Sequence, residues 1–445
     1  MRRQLAEVCW VIGGQAATAL GTLVGVRILT QYLSPDGYGV VSLATGMSTL
    51  AISLIATPIT QAAIHYYPGV VADGSASELL AAVARCYRTM APWAALAAVA
   101  GGVCYVVWGH GSPVLVVLLG LLFTSDCWRS ANLSLLNAAR RQERYGLWMA
   151  ADAWSRPLAA SLAVVLVGLA HGSPGLAHGS PGQSSVAVIA SYVVVSACLL
   201  VVFSYRLWPA AEEATARAAA RAKALDTRMW SYALPLIPLG VISWASTLGD
   251  RYIIGGLLGV ADAGIYAAVY GLSCLPFLIL NGTVEQALRP IYQTAVTRAE
   301  SARAHRILSI WLAVVVGVSS LGVLLFILGH DLLASLFVGK SYRSAASLMP
   351  WIAAGYAIRA TSYVFERVCY AYGRTRRVLA IQLCAVVAAV ALTPAGVISF
   401  GLKGAAMAVP AYFSVQLAVA LWVARRTMHE TAEGQSLGAA VATRA

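Results

Sequence analysis

Charged side chains are scarce in this sequence. Asp, Glu, Lys and Arg make up 11% of its 445 residues, against about 25% in an ordinary soluble domain. That scarcity excludes a water-solvated surface over most of the chain. Cysteine is thin and scattered: the 8 residues stand singly in apolar runs, with no C-x-x-C and no Cys/His cluster. A disulfide framework and a zinc centre are therefore excluded, and no metal or other cofactor is expected. Long polar segments are missing as well, so there is no soluble domain to carry chemistry of its own.

In place of charge there are long apolar runs. Hydrophobic residues make up 59% of the sequence, and the mean hydropathy is +0.74. A bilayer core needs about 20 mostly apolar residues per helix. Runs of that length lie near 8–33, 40–66, 89–108, 114–138, 147–170, 185–207, 230–248, 264–288, 307–329, 344–369, 378–395 and 403–424. The expected fold is all-α and integral to the membrane, with about twelve helices. Two arginines open the chain, and the run after them is too long for a signal h-region and has no cleavage site, so it reads as a retained first helix. An Ala/Arg/Glu-rich stretch, 208–229, reads as a cytoplasmic linker between an N-terminal six-helix lobe, 1–207, and a C-terminal one, 230–424. Residues 425–445 read as a tail.

The formal charge of +13 would suggest nucleic acid in a soluble protein, but its distribution says otherwise. With the N-terminus inside, 23 of the 31 Lys and Arg fall in cytoplasmic segments. Only Arg251, Lys340, Arg343 and Lys403 fall outside. This is the positive-inside pattern; it predicts both termini in the cytoplasm and no nucleic-acid partner. The heptapeptide LAHGSPG at 169–175 repeats at 176–182, a tolerated duplication in a flexible outer loop.

A larger repeat relates the halves. Arg27 opens a segment, through an apolar stretch and a Gly-containing turn into the next helix, that matches the one opened by Arg251, at an offset of about 225 residues. Gln61-Ala62 and Gln286-Ala287 match at the same offset. Paired repeats place a substrate site between them, near the bilayer midplane. In the first helix, Ala17, Gly21 and Gly25 recur every four residues, which favours close helix packing.

Ions inside a membrane are costly and tend to mark function. Asp126 and Arg129 are spaced i, i+3, and Asp152 and Arg156 i, i+4, so each pair shares a helix face. Either each pair neutralises itself, or the arginines contribute to a cationic cavity and Asp126 and Asp152 couple a proton or sodium. Arg27 and Arg359 have no acid within one turn. The candidate anion-binding set is Arg27, Arg129, Arg156, Arg251 and Arg359, because a guanidinium stays charged and grips phosphate oxygens in pairs. Glu285 with Arg289, and Glu366 with Arg367, sit near helix ends as snorkelling groups or an inner gate. His65, ahead of two tyrosines, reads as an interfacial anchor. Ala334–Ser341 nearly spells a phosphate-binding loop, but such a loop must follow a strand and open a helix, and this one follows a membrane helix. Gly249-Asp250-Arg251 is not in the loop where major facilitator transporters carry their similar signature.

Two segments carry a family likeness. VRILTQYLSPDGYGVVSLATGMSTLAISLIATPITQAAIHYYP, 26–68, resembles the opening of polysaccharide (O-antigen type) flippases. These belong to the superfamily that includes multidrug-and-toxin extrusion (MATE) transporters and the lipid II flippase. Residues 231–272 resemble the start of that family's second half. The resemblance implies two pseudo-symmetric six-helix lobes around a cavity that opens alternately to each side. It implies an undecaprenyl-diphosphate-linked oligosaccharide as cargo, moved to the outer leaflet of the bacterial plasma membrane among membrane lipids. A polymerase and other polysaccharide assembly proteins are the implied partners. Arg27 and Arg251 stand where related flippases carry cavity cations, and about twelve helices fit this branch better than the fourteen-helix plan of lipid II flippases. One rival is a cation-coupled multidrug exporter, which wants unpaired acids rather than bases. Another is a membrane glycosyltransferase or ligase, which wants large outer loops that this chain lacks. No enzymatic activity is expected.

Overall fold

In a computed structural model of the protein, the described residues are 2–72, 78–79, 81–89, 113–139, 141–170, 181–204, 216–298 and 300–442; among them there is no β-strand. The expected span at 89–108 and most of the duplicated loop lie outside these residues. Twelve α-helical elements are delimited among the described residues: α1 Arg2–Tyr32, α2 Pro35–Ala51, α3 Thr57–Ala72, α4 Pro113–Ala138, α5 Gln142–Ala170, α6 Pro181–Ser204, α7 Ala216–Ala233, α8 Ile237–Leu257, α9 Val260–Thr297, α10 Ser301–Phe337, α11 Met349–Ala371 and α12 Thr375–Ala442. The all-α membrane fold expected from the sequence is what the chain adopts.

Seven of the described helices are long and apolar enough to cross a membrane, and eight if the bent pair Leu225–Ala233 and Ile237–Leu257 counts as one span. The other expected spans have particular reasons to escape that count. α11 carries Arg359, Glu366 and Arg367 among its tyrosines, and α12 holds two spans in one element. α10 and α12 expose Leu321, Leu328, Val387 and Ile398 at 62–78%, a surface suited to acyl chains rather than water. The chain is a multi-pass membrane protein.

Local chemistry sets the breaks between helices. Ser34 caps α2, its Oγ accepting from Gly37 N at 3.2 Å, and Pro35 follows at the first helical position, where a missing N–H costs nothing. α2 passes into a π-helical turn, Ile52–Ala56, before α3 begins. Pro58, just beyond, has no N–H to return to an α ladder, and a wider turn absorbs the loss. Inside α12 the helical run breaks at Gly401, whose φ of 59° costs a Cβ-free residue little. The arms on either side of it meet closely: a Cβ on Gly404 would lie 1.8 Å from the Gly396 carbonyl oxygen. Gly404→Ala is therefore expected to lower stability by about 1–3 kcal/mol, the usual cost of overpacking. A thermal shift in detergent checks this, and an unchanged melting temperature would contradict the packing.

The chain divides into two units, Met1–Trp244 with Phe337–Ser341, and Ala245–Leu336 with Tyr342–Ala445. The boundary between Trp244 and Ala245 falls inside α8. In the first unit, α1 and α5 approach through the small-residue stripe read in the sequence. A Cβ on Gly21 would meet the Trp154 ring at 2.8 Å, and one on Gly25 would meet Pro157 at 3.0 Å. Trp154 Nε1 donates to the Ala17 carbonyl at 2.9 Å. His65 stacks on Tyr232 with centroids 4.6 Å apart. In the second unit, a core of Tyr292, Ala304, Trp311, Val364, Val368 and Ala424 joins α9, α10, α11 and the second arm of α12 at one end.

Candidate functional site

The first unit gathers the charges of α4 and α5 into a quartet. Arg129 Nε lies 3.2 Å from Asp126 on its own helix, and its Nη1 lies 3.1 Å from Asp152 on α5. Arg156 Nε lies 2.8 Å from Asp152, while its Nη2 pairs with Asp126 across the helices. Ser196 on α6 accepts from Arg156 at 2.7 Å and donates to Asp126 at 3.3 Å. The Arg156 guanidinium lies over the Tyr192 ring, 5.6 Å from its centroid. The intrahelical pairs match the spacing read in the sequence; the cross-helix pairs are additional. All four side chains are 7–19% exposed, and two carboxylates offset two guanidiniums. An anion or a coupling cation entering here has to displace an internal partner.

Arg27, on α1, is also engaged. Its Nη1 donates to the Val338 carbonyl, and next to it Gly339 N donates to Thr30 Oγ1 at 2.9 Å. The fit leaves no room at Gly339, where a Cβ would lie 2.0 Å from the Thr30 carbonyl oxygen. The near-match to a phosphate-binding loop is this segment. It leaves a membrane helix and enters the 3-10 stretch Lys340–Leu348, so it forms no phosphate cradle.

The second unit holds a different cluster. Asp250 on α8 is buried, accepting from Tyr266 Oη at 2.9 Å and from Arg251 N at 2.8 Å. The Arg251 guanidinium lies 5.6 Å from the Tyr270 ring centroid. Tyr270 and Tyr356 share a hydroxyl hydrogen bond of 2.9 Å. Arg359, 5% exposed, donates from Nε to Tyr363 Oη at 3.0 Å and from Nη1 to Tyr356 Oη at 3.4 Å. Its guanidinium lies 5.1–5.5 Å from the ring centroids of Phe413, Tyr363 and Tyr356. Among the described residues no carboxylate pairs with it. Of the described residues, one aspartate and two arginines are set here among aromatic faces and hydroxyls.

The group read as an inner gate splits. Glu285 pairs with Arg289 at 3.2 Å and with Arg367 of α11 at 2.9 Å, beside an open cavity of ≈ 330 Å³ lined by Gly282, Glu285, Gln286, Arg289 and Pro290. Glu366, the other acid read as part of an inner gate, does not join them. It is 2% exposed and accepts from Gln382 at 2.9 and 3.0 Å and from Gln416 at 2.8 Å. Tyr266, Tyr270, Tyr356, Tyr363 and Phe413 were not singled out in the sequence. The spacing of Tyr356, Arg359 and Tyr363 on one helix face was the signal available for two of them.

All-helical membrane chains with this arrangement form a known class of fold, and solved structures identify it. An inward-facing multidrug resistance MATE family transporter of the MOP superfamily superposes with a TM-score of 0.70 at 13% identity, covering 93% of this chain and 95% of the other. The lipid II flippase MurJ, in an inward closed conformation, gives 0.68 at 10% identity over 94% and 87%. A MATE transporter of Vibrio cholerae gives 0.63 at 12% identity over 96% and 97%. The protein has the MATE-like transporter fold. No family model and no curated protein matches the sequence.

Proposed function

We propose that the protein is a flippase that moves an undecaprenyl-diphosphate-linked oligosaccharide from the inner to the outer leaflet of the bacterial plasma membrane by alternating access, with both termini in the cytoplasm. The observation that carries this reading is Arg359, a buried guanidinium held by neutral groups and linked to Arg251 through Tyr356 and Tyr270. A cation in low dielectric without a carboxylate is costly, and an anionic headgroup supplies the missing charge. The guanidinium forks suit diphosphate oxygens, and aromatic faces suit sugar rings. The likeness of 26–68 and 231–272 to polysaccharide flippases points the same way, as does a structural neighbour that is itself a lipid flippase.

Within the set read from the sequence, Arg251 and Arg359 are the principal anion ligands in this proposal. Arg129 and Arg156 hold α4, α5 and α6 together, and Arg27 holds the Val338 segment. Asp126 and Asp152, each bonded to both arginines, are poorly placed as coupling groups. The rival reading, a multidrug exporter, draws on other neighbours of the same fold. The two are separated in proteoliposomes. Glycosidase- or lectin-accessible lipid-linked oligosaccharide is expected to appear on the far leaflet, without efflux of cationic dyes. Dye efflux without lipid translocation would overturn the proposal.

A further inference from the structure

The end of the second unit formed by the α9–α10 turn, the α11–α12 turn and the second arm of α12 carries more cation than its acids can offset. Four acidic side chains are described there, and each is already bound, Glu366 by Gln382 and Gln416. Glu285 pairs with Arg289 and Arg367, Glu300 with Arg303, and Glu430 with Arg377 and Arg426. Arg298, Arg306, Arg374, Arg376 and Arg425 are all exposed, and among the described residues none takes part in an ion pair or side-chain hydrogen bond.

Their position along each helix is as telling as their number. Arg306 stands one turn before Ile310, which is 50% exposed; Arg376 stands three residues before Leu379, 38% exposed; Arg425 stands three residues after Trp422, 62% exposed. In every case the arginine lies just past the end of an exposed apolar face. An apolar helix face without a protein neighbour marks the acyl-chain region, so the next turn lies at headgroup level. The Arg426 guanidinium 5.7 Å from the Trp422 ring centroid matches the aromatic belt that marks this level. Arg306, Arg376 and Arg425 thus stand at the depth of the phosphates, with Arg298 and Arg374 exposed in the turns between the same helices, and free guanidinium forks are complementary to phosphodiesters.

We propose that this girdle binds anionic phospholipid headgroups, holding a shell of them against the second unit. The inference rests on membrane embedding and not on the transport reading; a chain that moved no lipid-linked sugar would still hold the shell.

The test uses the purified full-length chain reconstituted in phosphatidylcholine vesicles doped with phosphatidylglycerol, with retained lipids counted by native mass spectrometry. Phosphatidylglycerol is expected to be retained over phosphatidylcholine, and to be displaced from the wild-type chain as salt is raised. Each single Arg→Gln change is expected to weaken retention about fivefold. Changing all five to Lys keeps the charge but not the fork, and retention is expected to fall between the wild type and the five Gln changes. Arg359→Ala leaves it unchanged, which separates this surface from the proposed transport site. Equal retention of the two lipids, or phosphatidylglycerol retention indifferent to salt and to five Arg→Gln changes, overturns the proposal. Capture of an acidic protein by this face without any phosphatidylglycerol preference overturns it too.

Discussion

Arg359→Ala is expected to weaken binding of a lipid-linked diphosphate by roughly ten- to a hundredfold, the range of a hydrogen bond to a charged group, while the purified chain keeps its yield and helix content. Two properties of the site predict that combination. The guanidinium is buried and, among the described residues, offset by no carboxylate, so its removal relieves desolvation instead of orphaning a partner ion. Of the tyrosines it bonds, Tyr356 keeps a bond of its own, meeting Tyr270 at 2.9 Å. Arg359→Lys restores the charge but not the planar fork, and its affinity should fall between the two. The measurement is a titration of undecaprenyl diphosphate into the detergent-solubilised protein, followed by translocation in proteoliposomes. Wild-type affinity and translocation in the alanine variant would remove the anion-site reading. Loss of folded protein would show that the cluster is structural.

Asp126→Ala should behave in the opposite way. It leaves Arg129 and Arg156 facing one carboxylate, Asp152, in a setting where all four side chains are 7–19% exposed. Breaking a buried pair on one side costs about 3–5 kcal/mol, comparable with the whole stability of many folds. The expected result is little mature protein in the membrane, whatever the substrate. Removing Arg156 as well leaves the neutral Arg129–Asp152 pair, 3.1 Å apart, so the double variant should recover protein that the single one loses. The coupling between the two positions should fall within about 0.5–3 kcal/mol. A double variant no better than the single one would mean that the quartet does not act as a unit.

The contrast between these clusters shows what the sequence could reveal. Spacing of i, i+3 and i, i+4 was enough to place Asp126 beside Arg129 and Asp152 beside Arg156. It could not supply the cross-helix bonds, because the rotation of α4 and α5 about their axes depends on packing. Arg359 was visible as an ion without a nearby acid, and Tyr356 and Tyr363 flank it at helical spacing. Tyr270 and Phe413 come from other helices, and nothing local points to them. Asp250, beside Arg251, was noticed only as part of a signature belonging to another fold. The two acids read together as a gate, Glu285 and Glu366, take different partners. Successive residues of an α-helix point about 100° apart, so Arg367 reaches Glu285 while Glu366 turns inward to two glutamines.

The π-helical turn at Ile52–Ala56 has a consequence for how this helix tolerates length change. Elsewhere in a helix, gain or loss of one residue rotates everything beyond it by about 100° and exchanges its buried and lipid-facing sides. A wide turn contains one residue more than an α turn of the same rise, so this segment stores a length difference locally. Residues 35–51 and 57–72 can each keep their own facing. Ile52–Ala56 is therefore the part of this helix where a one-residue deletion does least harm, because it converts the wide turn to an ordinary one and leaves both flanks in register.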